Sequence, residues 1–253
     1  MIFTSQDFKR NYKQIILKKV GIIGQRKIQK SKVLVIGVGG LGCPLIIYLA
    51  NSGICNIGII DYDKVDLSNL NRQILFTPKD VGKFKVNIAK KILKKINKKI
   101  KVYCFKKKIN KQNIKKIINK FDIICDGSDN FETRYLVNDF CLKNKKILIS
   151  AAISRFDGHV FNFDFKEKTP CLRCFMPEAP ALPNNCESEG IMSTVAGIAG
   201  TLQANEVINT IINPKKNNKG EMIIFNSLTS NFRKIKLSRN LKCIKECTKR
   251  WKT

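Results

Sequence analysis

The sequence predicts an α/β fold: a mostly parallel sheet continued by antiparallel strands, with a long crossover loop and a four-cysteine site. Three observations carry this reading. Strand-length apolar runs alternate with amphipathic helical segments from position 31 to 151, the β-α-β-α order that implies a parallel sheet with right-handed crossovers. Beyond Ala151, alternation of apolar and polar residues takes over, as in antiparallel strands with one solvated face. Two cysteine pairs, Cys171 with Cys174 and Cys243 with Cys247, stand within that second half.

The first strand is Val33 to Ile36, a short β-branched run of the kind buried on both faces. Gly37, Gly39 and Gly42 follow in a G-x-G-x-x-G pattern, and Leu41 to Ser52 reads as a helix with Leu45, Ile46 and Leu49 on its apolar face. Strand, glycine turn and helix in that order form an anion cradle. Glycines let the backbone approach a phosphate, and the helix's first free N–H groups point at it. A tight turn without a ligand would also explain the glycines. It would not explain the second strand, Asn56 to Ile60, which ends in Asp61 near the roughly 20-residue spacing of a ribose-binding acid. The pair indicates a nucleotide without saying which.

Ahead of the first strand, Ser5 to Lys19 reads as an amphipathic helix with Phe8, Tyr12, Ile15 and Ile16 on one face and Arg10 and Lys13 among them. Such an arm can lie on a neighbouring molecule as easily as on its own core. After Asp61 comes a loop dense in polar groups, with Asp63, Ser68, Asn69 and Arg72. It is either a solvated turn or a phosphate contact, for which the planar fork of Arg72 is suited.

Val81 to Ile96 has the periodicity of a helix with Lys85 near its start. Ile100 to Phe105 reads as a strand, Asn113 to Asn119 as a short helix and Phe121 to Cys125 as a buried strand. Asp126-Gly-Ser-Asp-Asn130 follows at the C-terminal end of that strand, where an open α/β sheet places ligand groups. Asp129 is a candidate for Mg²⁺ or for the nucleotide, and also a candidate cap of the helix Asn130 to Leu142; the two roles are compatible.

Lys146 to Ala151 is the last parallel strand. His159 to Phe165, Glu221 to Asn226 and Asn231 to Leu237 read as antiparallel ones, and His159, the chain's single histidine, is expected to be structural. Thr194 to Ile212 reads as a helix whose Ala196, Gly197, Ala199 and Gly200 suit close packing.

Composition sets limits on these readings. The 253 residues suffice for a full core. No apolar run reaches membrane-spanning length and no secretory pattern is present, so the expected location is the cytoplasm. The formal charge of +29 invites a nucleic-acid reading. Its lysines, however, are spread over almost every segment, and in the densest stretch, 83 to 120, they alternate with apolar residues at helical spacing. Solvated faces account for them better than a phosphate-tracking groove, although non-specific polyanion binding is expected at low salt.

Ten cysteines in such a chain are not a disulfide framework. Cys43, Cys55, Cys104, Cys125 and Cys141 sit singly in apolar segments and read as small core residues. Cys171-x-x-Cys174 and Cys243-x₃-Cys247 have the spacing of a tetrahedral Cys₄ zinc site, closed and structural. A lone C-x-x-C could instead be a redox pair, and the second pair favours metal. Cys186, within the proline-containing loop Phe175 to Gly190, is an accessible thiol, either a nucleophile or an unreactive loop residue.

Taken together, Ile36-Gly-Val-Gly-Gly-Leu-Gly42, Asp61-Tyr-Asp63, Ser68-Asn-Leu-Asn-Arg-Gln-Ile-Leu-Phe76, Lys85, Asp129-Asn130, Cys171-x-x-Cys174 and Gly200-Thr-Leu-Gln-Ala204 fall in the order and spacing of one group. The chain resembles the ThiF/MoeB family, the adenylyltransferases related to ubiquitin-activating enzymes that activate sulfur carriers for thiamine and molybdopterin synthesis. The resemblance covers nearly the whole chain. It implies one Rossmann-like adenylyltransferase domain over 1–253: an N-terminal helical arm (1–30), a nucleotide-binding half (31–151) and an antiparallel, carrier-binding half with the zinc site (152–253).

The resemblance also implies the cofactors ATP, Mg²⁺ and Zn²⁺, and a small ubiquitin-like partner whose C-terminal glycine carboxylate attacks the α-phosphate and releases pyrophosphate. Gly37, Gly39, Gly40 and Gly42 would form the cradle, with Gly40 at the nucleotide. Asp61 would hold the ribose, Asn69, Arg72 and Lys85 the phosphates and Asp129 the Mg²⁺, with Asp63, Ser68 and Asn130 beside them. A homodimer is implied, as is a sulfur donor such as a cysteine desulfurase, with Cys186 as a sulfur-transfer residue. No membrane and no specific nucleic acid are expected as partners.

Two departures from the family pattern stand out. Lys13 takes the place of an arginine that the family sends into the neighbouring subunit's site, which keeps the charge but loses the fork. The second cysteine pair is C-x₃-C instead of C-x-x-C. Asn71-Arg-Gln-Ile-Leu-Phe-Thr77 and the Asn-Asn-Cys context of Cys186 lean toward the thiamine branch; molybdopterin is the alternative. A nicotinamide-dependent oxidoreductase would leave Arg72, Lys85 and the cysteine pairs without a task, and a non-catalytic zinc scaffold would leave the nucleotide motifs without one.

Overall fold

A single eight-stranded sheet organises the chain, in the order β3-β2-β1-β4-β5-β6-β7-β8. The computed structural model describes residues 3–167, 169–179, 190–214, 219–240, 242–243 and 246–247. The parallel part consists of β1 (Lys32–Ile36), β2 (Asn56–Ile60), β3 (Lys101–Phe105), β4 (Ile123–Asp126) and β5 (Ile147–Ser154). β1 pairs with both β2 and β4, Val33 facing Ile57 on one side and Ile123 on the other. The remaining strands, β6 (Asp157–Asp164), β7 (Glu221–Asn226) and β8 (Asn231–Lys236), continue the sheet antiparallel from β5.

The β1 sequence alternates between two cores. Val33 and Val35 belong to one apolar cluster, Leu34 and Ile36 to the other, and all four are buried. A run apolar at every position is what a strand covered on both faces requires. The first cluster lies under α3 (Gly42–Asn51), α4 (Lys85–Ile96) and a later helix, α8 (Ser193–Ile212); the second lies under α5 (Ile114–Ile118) and α6 (Phe131–Lys143). α7 (Leu172–Phe175) is a single turn carrying the first cysteine pair. Of the cysteines read as core, Cys43, Cys55, Cys125 and Cys141 are buried, while Cys104 on the edge strand β3 is half-buried.

The N-terminal arm differs from its reading. α1 spans Ser5–Ile15, capped by Thr4, and a second helix, α2 (Gly21–Lys30), follows. The break is the turn at residues 16–20, and Gly21 opens α2 with φ +56°, a conformation outside the helical range. α2 turns a partly polar face inward, Gln25 and Gln29 beside Ile28, and so lacks the apolar stripe that marks a helix. The helix read from Val81 begins at Lys85. Val81–Phe84 instead forms a turn and a bridge, Phe84 pairing with Lys64. Among the described residues no helix is long and apolar enough to cross a membrane.

Candidate functional site

The tips of β1, β2 and β4 and the loops that follow them enclose one cleft. The β1 turn sets its floor. Gly37 has φ +87° and approaches Gly127 at the tip of β4 so closely that a Cβ would lie 2.9 Å from that carbonyl oxygen. Gly39 and Gly40 line the cleft with bare backbone. Gly42 does not line it: it seats the first turn of α3, where a Cβ would overlap the Gly37 carbonyl oxygen.

Asp61 leaves β2 and turns back under this loop. Its carboxylate accepts from the Val38 N–H at 2.7 Å and the Asp63 N–H at 2.8 Å. Burial raises its pKa, against the pull of those two N–H groups and of Lys85. Lys85 at the start of α4 is buried, and its ammonium is 3.1 Å from Asp63, whose carboxylate is partly exposed.

Arg72 reaches the cleft from the loop after β2. Its guanidinium donates to the Ser68 carbonyl at 2.9 Å and to Asn71 Oδ1 at 3.1 Å, which leaves part of its fork available. Ser68 and Asn69 do not line the cleft; they build the turn beneath Arg72, the Asn69 carbonyl accepting from the N–H groups of Arg72 and Gln73. Asp129 is exposed on the cleft wall and accepts from Asn130 Nδ2 at 3.1 Å. Asn130, and not Asp129, caps α6, by accepting from Thr133 N–H.

The sequence did not single out Gln73, Asp126, Ser128 or Arg134 as site residues. Gln73 lines the cleft, almost fully buried, and its Oε1 has no hydrogen-bond partner. An orphaned acceptor at the rim of a polar cleft fits a site that is completed by a ligand. Asp126, Ser128 and Arg134 form a buried network behind Asp129.

The other candidates lie elsewhere. Lys13 is exposed on α1 and does not line this chain's cleft. Cys186 lies outside the described residues. His159 is half-buried on β6 beside Phe161, away from the cleft.

The cysteine pairs converge. Cys171 Sγ is 3.8 Å from Cys174 Sγ and 3.8 Å from Cys243 Sγ, and Cys243 Sγ is 3.8 Å from Cys247 Sγ. Tetrahedral zinc with Zn–S bonds of about 2.3 Å places its sulfurs about 3.8 Å apart; Cys171, Cys243 and Cys247, whose sulfurs lie within 4.8 Å of one another, fit that ion, while Cys174 approaches Cys171 but stands outside this group of three. The C-x₃-C spacing thus still brings the Cys243 and Cys247 sulfurs together.

Comparison with known proteins agrees with this geometry. The chain is 35% identical over 250 residues to the sulfur carrier protein adenylyltransferase of Thermus thermophilus, covering 96% of this chain and 92% of that protein. It is 38% identical over 235 residues to the adenylyltransferase and sulfurtransferase MOCS3 of Culex quinquefasciatus, covering 92% of this chain but 53% of that protein; it spans about half the length of such relatives. E. coli MccB, crystallised with MccA-N7isoASN, superposes with a TM-score of 0.81 at 25% identity, over 94% of this chain and 73% of that one. The ThiF family profile matches residues 12–245, and the chain belongs to the ThiF family.

Proposed function

We propose that this chain uses ATP to adenylate the C-terminal glycine of a small ubiquitin-like sulfur-carrier protein, releasing pyrophosphate. The observation that carries the reading is convergence: Asp61, Arg72, Lys85 and Asp129 come from four separate segments and meet around one cleft floored by a glycine turn. Cations with no general base among them suit a nucleophile that is already a carboxylate. The carrier's carboxylate oxygen bonds to the α-phosphorus as the bond to the bridging oxygen breaks, and pyrophosphate leaves with the electron pair.

In this reading Asp61 orients the ribose, and Arg72 and Lys85 neutralise phosphate charge. Asp129 holds Mg²⁺, which supplies further neutralisation when bound. Cys171, Cys174, Cys243 and Cys247 hold Zn²⁺ and tie the tail to the body.

The partners follow from the surface. Phe232 on the edge strand β8 is exposed on the face it shares with Lys234 and Lys236, an apolar and basic surface suited to a small carrier. Phe8, Tyr12, Ile16 and Ile23 are exposed along the N-terminal arm and suit a second copy of the chain, which would bring Lys13 to the neighbouring cleft. The Asn71–Thr77 stretch favours a carrier of the thiamine branch.

The test is to mix the protein with ATP, Mg²⁺ and either a thiamine-type or a molybdopterin-type carrier, and to read the carrier adenylate by intact mass. An adenylate on the thiamine-type carrier is the expected result. One on the molybdopterin-type carrier alone moves the chain to the other branch, and none on either carrier overturns the proposal.

A further inference from the structure

Arg134, one turn into α6, borders the cleft and is almost fully buried. An arginine at a triphosphate site invites assignment as a phosphate ligand, but its donors are directed elsewhere. Nη2 donates to the Ser128 carbonyl at 2.5 Å; Nη1 donates to the Ala151 carbonyl at 2.6 Å, with Ser150 Oγ at 3.5 Å and the Asp126 carboxylate at 3.9 Å. The guanidinium thus bridges the turn after β4 to the strand β5. We propose that Arg134 is a positioning residue: it fixes the Ser128–Asn130 turn, and through it the Asp129 carboxylate, without touching the phosphates. The inference rests on the reading that Asp129 binds Mg²⁺.

The turn is fixed on both sides of Asp129. Ser128 is held through its carbonyl by Arg134, and through its N–H and hydroxyl by Asp126 Oδ1 at 3.0 and 2.6 Å. Asp126 is held in turn: Ser150 Oγ donates to its Oδ2 at 2.9 Å, and Gln203 Nε2 on α8 donates to its backbone carbonyl at 2.9 Å. On the other side, Asn130 accepts from the Thr133 N–H through Oδ1 and from the Arg134 N–H through its carbonyl. Asp129 alone in this turn points its side chain to solvent. A carboxylate on a locked backbone meets a metal in one geometry, whereas one on a loose turn must be ordered at each binding event. The planar fork that spans two carbonyls is specific to arginine; a lysine keeps the charge and reaches one of them.

The experiment uses the full chain with ATP and Mg²⁺. Two quantities are compared in Arg134→Lys and the parent: the Mg²⁺ concentration giving half-maximal ATP–pyrophosphate exchange with carrier, and the affinity for ATP in EDTA by calorimetry. The inference expects the Mg²⁺ requirement to rise about tenfold, the loss of one charge-assisted hydrogen bond. It expects metal-free ATP affinity to stay within about twofold, the ordinary scatter for a site that does not touch the ligand. Weaker metal-free ATP binding with an unmoved Mg²⁺ requirement would make Arg134 a phosphate ligand and overturn the inference. Asp129→Ala separates the two readings: an unmoved Mg²⁺ requirement there sinks the metal assignment, while a large rise there beside none in Arg134→Lys sinks the positioning role alone. Should Arg134→Lys fail to fold, Ser150→Ala, which loosens Asp126 from outside the cleft, is to raise the Mg²⁺ requirement in the same direction; no rise overturns the inference.

Discussion

Arg173 and Asp139 form a two-pronged ion pair, Nε to Oδ1 at 2.9 Å and Nη2 to Oδ2 at 3.0 Å, and the same guanidinium lies 4.0 Å from the centre of the Tyr135 ring. Arg173 stands between the two cysteines of the first pair, and Asp139 and Tyr135 are on α6. Leu172 N–H adds a bond to Asn138 Oδ1 at 2.9 Å, so the cysteine turn is fastened to α6 along its length. The pair is largely shielded from water, and removing one partner strands the other.

Arg173→Ala is therefore expected to destabilise the fold by about 3 kcal/mol, the usual cost of breaking a buried pair from one side. Urea unfolding checks this. If the cluster holds zinc, the variant is also to release it faster to a chelating dye. Unchanged stability would mean that the cysteine turn holds itself in place.

Gly42→Ala tests the seat of α3. A Cβ there meets the Gly37 carbonyl, which is backbone and cannot swing aside. The turn or the helix must shift, at a cost of about 1–3 kcal/mol as in other overpacked sites. Because Gly37 sets the floor of the cleft, ATP affinity by calorimetry is expected to fall along with the melting temperature. A drop in one without the other would separate the helix seat from the cradle.

The β1–turn–α3 unit and Asp61 were readable because their chemistry is local: strand, glycines and acid follow one another in sequence. The parallel pairing of β1 to β5 follows from the same alternation, but the strand order, with β4 beside β1, does not. α2 was not readable as a separate helix, because its inner face is partly polar and Ile22 and Ile23 point outward. Asp129 was marked by its place just past the C-terminal end of a strand, whereas Lys85 carries no local mark of a nucleotide and gained its role from the family pattern.

Arg134 and Gln203 could not be assigned from sequence at all. Their partners come from other segments: Ser128 and Ala151 for the one, Asp126 and Ile149 for the other. The spacing of Gly42 hid a division of labour, since it matches the phosphate motif yet serves packing. Ser68 and Asn69 likewise proved to support Arg72 without lining the cleft.

Lys85→Met tests electrostatic stabilisation. The ammonium is buried and its protein partner, Asp63, is partly exposed, so water can take over Asp63 when the amine is gone. The fold is expected to survive while carrier-dependent pyrophosphate exchange falls by about 10²–10³, the range seen when a preorganised charge is removed from a transition state. A similar loss in Asp63→Asn would shift the main role to the carboxylate. A variant retaining nearly full exchange would exclude Lys85 from the transition state.

Asp7 anchors the N-terminal arm to the body. Lys99 Nζ lies 2.8 Å from each of its carboxylate oxygens, and Thr4 donates to it from N–H and hydroxyl at 2.8 and 2.9 Å. Burial pushes its carboxyl upward, but the Lys99 ammonium and the Thr4 donors outweigh that, and its pKa lies below the ordinary 3.8. A carboxyl with a lowered folded pKa contributes stability that is present above its unfolded value and is lost as pH falls through the folded one. Asp7→Asn is thus expected to destabilise the chain by about 1–3 kcal/mol at neutral pH. The gap from the parent closes only below about pH 4, where unfolded aspartates begin to take up protons. Urea titrations of both proteins from pH 7 down to the acid limit of folding measure that gap; a gap independent of pH would assign the contribution to the Thr4 cap and not to the charge facing Lys99.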